Sequence, residues 1–229
     1  MATPAPSHLI HCAQSYPRFA NDRMNQTWES ETSGQPETTR PVVLVHGIFD
    51  TSKIFTTMAN WLRIRGFRPL AVNLIPSSGA VGLDALAAQI GPFVDRHVPP
   101  GEQFDLVGFS MGGLVSRYYV QRLGGMERVG RLITISAPHH GSYWAYALHN
   151  QGSKQMRPGS VFLNGLNRDA DVLERVKFAS IWTPLDLMIV PANSSRLGVG
   201  EEFRIPVALH PWMLRSRRSL ELVARLLRV

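Results

Sequence analysis

The amino-acid sequence predicts an α/β domain, a mostly parallel sheet of about six strands with helices on both faces. Three observations predict it. Short, continuous apolar runs alternate along the chain with stretches of helical periodicity, which is the rhythm of βαβ units. The runs are apolar at successive positions, as in strands buried on both faces, instead of alternating as in half-exposed strands. The length of 229 residues, with 44% hydrophobic and 18% charged residues, suffices for one domain whose core needs no disulfide, and the single Cys12 cannot form an internal bridge.

Residues 1–40 are rich in Pro, Ser, Thr, Gln and Glu without a sustained period, so they read as a loose arm before a domain at 41–229. Residues 41–46 are the first predicted strand, a run of valines and leucine closed by His46 and Gly47. Ile54, Met58, Trp61, Leu62 and Ile64 follow near helical spacing, and Gly66 ends the pattern. Strands are further predicted at 67–74, 104–109, 131–136, 176–181 and 203–209, and helices at 83–98, 111–123 and 213–227. Residues 139–172 break the rhythm. They mix His, Gly, Asn and Ser with Tyr143, Trp144, Tyr146, Leu148, Phe162, Leu163 and Leu166, and read as an insertion that can form a partial lid over a site.

The charge balance is +7, nearly all from arginine. The arginines are scattered, with only Arg215, Arg217 and Arg218 clustered, and no aromatic series or nucleic-acid-binding motif accompanies them. Nucleic acid is therefore not an expected partner, while transient contact with a membrane surface stays open. No apolar run approaches the ~18 residues of a membrane span, and the first twenty residues lack the apolar stretch of a signal peptide. A soluble, cytoplasmic protein is the expectation, with its oligomeric state left open.

The sharpest local signal is Gly108-Phe109-Ser110-Met111-Gly112, a G-x-S-x-G between a predicted strand and a predicted helix. In that setting the serine stands on a tight turn, and its flanking glycines let strand and helix approach. A serine hydroxyl needs a general base within reach, itself oriented by a carboxylate. In this fold class the partners come later in the chain in the order acid, then histidine. Asp186, in an apolar stretch after the fifth strand, and His210, after the sixth, fit that order. His139 and His140 precede every plausible acid and read as site wall or turn residues. Asp169 and Asp171, which lie in the insertion, compete less well than Asp186 for the acid. Two backbone N–H groups would receive the developing oxyanion, one from Met111 and the other from the loop after the first strand, with Ile48 preferred over Phe49. His46 reads as a structural hydrogen-bonder.

Residues 42–48, 108–113, 137–142 and 185–190 together resemble the α/β-hydrolase superfamily, and within it the small bacterial lipases and esterases. The resemblance spans about 41–229. It implies a compact α/β-hydrolase fold and hydrolysis of acyl esters of small molecules or lipids, with Ser110, Asp186 and His210 as the triad. Phe49 and Trp144 are the expected substrate-binding side chains, and neither cofactor nor metal is called for. An acyltransferase or thioesterase would use the same triad with a different acceptor or leaving group. A catalytically silent binding protein on this fold is a further alternative, against which the presence of all three triad residue types argues.

Overall fold

The computed structural model describes residues 40–228. All but the last residue of the expected arm lies outside them. Six parallel strands, β1 (Pro41–Val45), β2 (Arg68–Val72), β3 (Phe104–Phe109), β4 (Val129–Ile135), β5 (Phe178–Trp182) and β6 (Glu201–Arg204), form one sheet in the order β2-β1-β3-β4-β5-β6. Among the described residues, seven α-helices accompany it: α1 (Thr56–Ile64), α2 (Leu83–Ala87), α3 (Ile90–His97), α4 (Met111–Arg122), α5 (Gln151–Gln155), α6 (Val161–Asn167) and α7 (Arg217–Leu226). The α/β fold expected from the alternating pattern is the fold observed.

The two-sided burial that the apolar runs imply is visible residue by residue. Val43 and Val45 of β1 enter a core with Leu83, Leu86, Ile90, Leu114 and Val115 from α2, α3 and α4. Val42 and Leu44, pointing the other way, enter a second core with Met58 and Leu62 of α1 and Leu220 and Val223 of α7. Because every strand runs in the same direction, every strand-to-helix loop opens at one edge of the sheet. That edge is where a parallel α/β sheet places its ligands.

Three predicted elements differ most in extent, each for a local reason. The helix expected over 83–98 is broken between Ala87 and Ile90, since Pro92 has no N–H to give the Ala88 carbonyl and its ring crowds that carbonyl. The strand expected over 203–209 ends at Arg204, because Pro206 cannot donate to a ladder. The last helix starts at Arg217 instead of Met213. Ser216 caps it by accepting the Ser219 N–H (3.2 Å), and residues 210–214 form a separate tight turn.

The 139–172 segment is tied down from beneath. Arg117 of α4 is completely buried, and its guanidinium donates to Asn167 Oδ1 (2.9 Å), the Leu166 carbonyl (2.9 Å), Gln121 Oε1 (3.2 Å) and His139 Nδ1 (3.2 Å). Burial pushes the Arg117 pKa down to about 9, which leaves it charged at neutral pH. Asn167 in turn donates to the His139 carbonyl (2.9 Å), while Arg122 pairs with Asp169 (2.7 Å). Leu163 and Leu166 of α6 are buried. Replacing Arg117 with Ala should lower unfolding stability by about 3 kcal/mol or more, because several buried acceptors would lose their donor together. A urea midpoint unchanged from wild type would show that the clamp carries no weight.

Candidate active site

Ser110 sits between β3 and α4 at φ 53°, ψ −125°, a conformation that a non-glycine residue adopts only where the surroundings impose it. The neighbours explain how the turn closes. A Cβ on Gly108 would lie 2.6 Å from the Gly112 carbonyl oxygen, and one on Gly112 would strike the Val45 and His46 carbonyls. Both positions therefore exclude a side chain, as the motif's setting predicts. Ser110 remains at the surface of the sheet edge, about a tenth exposed.

Asp186 and His210 meet on the loops after β5 and β6. His210 Nδ1 lies 2.8 Å from Asp186 Oδ2 and 3.0 Å from Oδ1, and both side chains are buried. The other two donors to Asp186 are the backbone N–H groups of Met188 (2.9 Å) and Ile189 (3.0 Å), both onto Oδ1. Burial pushes the Asp186 carboxyl up, but the His210 bond and charge and these two N–H groups together hold it below the usual carboxylate range. An ionised Asp186 keeps the proton on Nδ1 and leaves Nε2 as the basic nitrogen. Thr183 sets the spacing of the two loops. Its buried hydroxyl donates to the Val207 carbonyl (2.7 Å) and accepts the Leu185 and Val207 N–H groups (3.2 Å each).

The histidine reaches the elbow through Phe109, whose ring packs on the His210 ring at 4.7 Å between centroids. Among the described residues Ser110 Oγ has no side-chain hydrogen bond. Catalytic hydrogen bonds often tighten only when substrate is bound.

The loop after β1 carries the remaining polar groups. His46, fully buried, accepts the Leu74 N–H at Nε2 (2.9 Å), so its proton is on Nδ1 and is donated to the Gly47 carbonyl (2.8 Å). Burial lowers its pKa, which keeps it neutral and structural, as the sequence suggests. The Phe49 N–H donates to the Ser77 carbonyl (2.9 Å) and is thereby engaged. Ile48 N–H has no acceptor among the described residues, and Met111 N–H is in the first turn of α4, where no intrahelical acceptor exists. Phe49 itself stands at φ 60° with its ring 63% exposed beside this loop.

Residues 41–172 match the palmitoyl protein thioesterase family, which is more than half of the chain and includes the loop after β1 and the serine elbow. The chain belongs to that family. It is accordingly an α/β-hydrolase of the lipase and esterase type. Two triacylglycerol lipases, from Pseudarthrobacter phenanthrenivorans and Burkholderia plantarii, are each 29% identical to it over 113 residues, 46% of this chain. The chain spans about a third of the length of these curated relatives, 35% and 31%. The lipase BlEst2 of Bacillus licheniformis in its mature form superposes with a TM-score of 0.71 at 17% identity, covering 87% of this chain and 96% of that one, a likeness of fold.

The palmitoyl protein thioesterase match ends before Asp186 and His210, so these two stand on geometry alone. The competing residues are accounted for elsewhere. His139 is fully buried, with Nδ1 accepting from Arg117 and Nε2 3.0 Å from Thr134 Oγ1, and burial together with the Arg117 charge holds its pKa well down. Such a histidine cannot exchange protons with substrate. His140 is exposed, its Nδ1 3.4 Å from Asn167 Nδ2, and its backbone N–H donates to the distant Ser194 carbonyl (3.1 Å). Asp169 pairs with Arg122, and Asp171 is exposed.

Trp144 is anchored beside the acid loop, its Nε1–H donating to the Leu187 carbonyl (2.6 Å) with the ring 54% exposed. Ser142 reinforces the same junction by donating to the Met188 carbonyl (2.9 Å) and accepting the Val190 N–H (3.0 Å). Sequence reading missed Ser142, Thr183 and Arg117. Each is an ordinary polar residue with at least one partner 24–50 positions away, so no local pattern marks it. It also passed over Asp50, four residues beyond His46 on the loop after β1.

Proposed function

We propose that this protein is a serine hydrolase of apolar acyl esters, with Ser110 as nucleophile, His210 as general base and Asp186 as the group that orients it. The observation that carries the reading is the buried Asp186–His210 pair packed, through Phe109, against a strained serine elbow at the carboxyl edge of a parallel sheet. In this reaction Ser110 Oγ attacks the ester carbonyl while His210 Nε2 takes its proton. The oxyanion is met by the N–H groups of Ile48 and Met111. Collapse of the intermediate breaks the bond to the leaving alkoxide, which receives the proton from His210. Water then repeats the cycle on the acyl-enzyme and releases the acid. An active-site-directed fluorophosphonate should label Ser110, identified by peptide mapping, and label on another residue or none would overturn the assignment.

The surface supports an apolar acyl group. Among the described residues, ten of the thirteen large, exposed apolar side chains belong to loops at the carboxyl edge, including Phe49, Trp144, Leu187 and Trp212. We assign Phe49 and Trp144 to the acyl wall. If the wall contributes about 0.8 kcal/mol per buried methylene, kcat/KM for p-nitrophenyl esters should rise from acetyl over the first few carbons and then level off. Trp144→Ala should flatten that rise, and an unchanged chain-length profile in the variant would remove Trp144 from the wall.

A thioester is the second substrate reading, favoured by the family matched over 41–172. The same residues serve, with a thiolate as leaving group. Paired oxygen and sulfur esters of one acyl chain separate the two by their kcat/KM.

A further inference from the structure

The reaction proposed above assigns no role to Asp50, although this carboxylate lies near the proposed nucleophile. A methyl group on Gly47 would stand 2.9 Å from Asp50 Oδ2, 3.1 Å from Ser110 Cβ and 3.5 Å from Phe109 Cδ1. One point thus touches the carboxylate, the nucleophile and the ring that packs on His210, and Asp50 Oδ2 lies at most about 6 Å from Ser110 Cβ. The backbone around Asp50 fixes it there. Its N–H reaches the Gly47 carbonyl (3.4 Å) across a tight turn in which Phe49 takes the left-handed conformation.

The charges of both His46 and His210 act on Asp50, and Asp186 is the carboxylate hydrogen-bonded to His210. Burial holds the Asp50 carboxyl above its ordinary range, opposed by His46, His210 and the Gly47 N–H. His46 is the poorer cation for such a carboxylate to meet, because burial lowers its pKa and its Nε2 already accepts the Leu74 N–H. His210 gains a positive charge in each half of the proposed cycle.

We propose that Asp50 is a positioning residue of the site, a second carboxylate that stabilises the imidazolium of His210 when Ser110 attacks. This rests on the serine-hydrolase reading. Asp186 fixes the tautomer by a direct bond, and Asp50 adds charge through space without one. A neutral Asp50 would leave the imidazolium less favoured, so the acid limb of turnover would move to lower pH.

The test is the pH dependence of kcat/KM on p-nitrophenyl butyrate for wild type, Asp50→Asn, Asp50→Ser and Asp50→Glu, each checked for a wild-type thermal unfolding profile. Both neutral variants should move the acid limb to lower pH by about half to one unit, with kcat on the plateau reduced about three- to tenfold. Asp50→Glu, which keeps the charge, should return the limb toward wild type. A residue that only holds the turn would lower the rate and leave the limb in place, and an acid limb in Asp50→Asn that superimposes on wild type overturns the proposal. Failure of the underlying reading is seen separately, as turnover retained by Ser110→Ala.

Discussion

Replacing Ser110 with alanine should reduce ester turnover by about 10⁴- to 10⁶-fold while leaving the fold intact. The fold is expected to survive because Ser110 Oγ holds no side-chain hydrogen bond among the described residues, so its removal orphans nothing. The strained backbone of the elbow is imposed by Gly108 and Gly112, which the substitution leaves in place. His210→Ala should lose as much, and the double variant should be no worse than either single one, since residues acting on the same proton do not contribute independently. Single-turnover rates with a p-nitrophenyl ester decide the matter. Retention of more than about a tenth of wild-type activity by Ser110→Ala would require another nucleophile.

Asp186→Asn should cost about 10⁴-fold, chiefly in kcat, although the side chain keeps its shape. The carboxylate accepts from His210 Nδ1 as well as from the Met188 and Ile189 N–H groups. An amide can still serve the backbone donors through its oxygen, but its NH₂ group facing the imidazole stabilises the tautomer protonated on Nε2, which cannot accept the serine proton. The same substitution has a second signature in stability. The Asp186 carboxyl is held below its usual range in the folded protein, so its contribution is complete above the unfolded carboxyl range and is lost as pH falls through the folded value. Asp186→Asn should be less stable than wild type at neutral pH, with the difference narrowing toward acid. A stability gap that stays constant from pH 7 down to pH 3 in urea titrations would show that the carboxylate's ionisation contributes nothing.

Taken together, the geometry divides the site into a rigid base and an apolar rim. His46, Thr183 and Ser142 each satisfy several partners and tie together the loops at the carboxyl edge, while Arg117 holds the 139–172 segment. Phe49, Trp144 and Trp212 stand exposed above that base. Rigid polar support beneath an apolar entrance suits a reaction in which the acyl chain binds by burial and only the carbonyl needs directed polar contacts.

The sequence by itself determined the α/β class and the strand-turn-helix at Ser110, and it read His46 as a structural hydrogen-bonder. These features are local. Two-sided burial writes itself as unbroken apolar runs, and a close approach of strand and helix writes itself as glycine at 108 and 112. Only the tertiary structure shows which histidine is enclosed and which is paired with a carboxylate. His139 and His210 both follow strands, yet one is enclosed by Arg117 and Thr134 and the other is paired with Asp186 beside Phe109. It also shows the Phe49 N–H engaged by the Ser77 carbonyl 28 residues later, while the Ile48 N–H has no acceptor among the described residues. Contacts of that kind join segments far apart in the chain, and their energy depends on burial and on who already occupies each donor or acceptor. Neither quantity exists until the strands are assembled in the order β2-β1-β3-β4-β5-β6 and their loops converge at one edge.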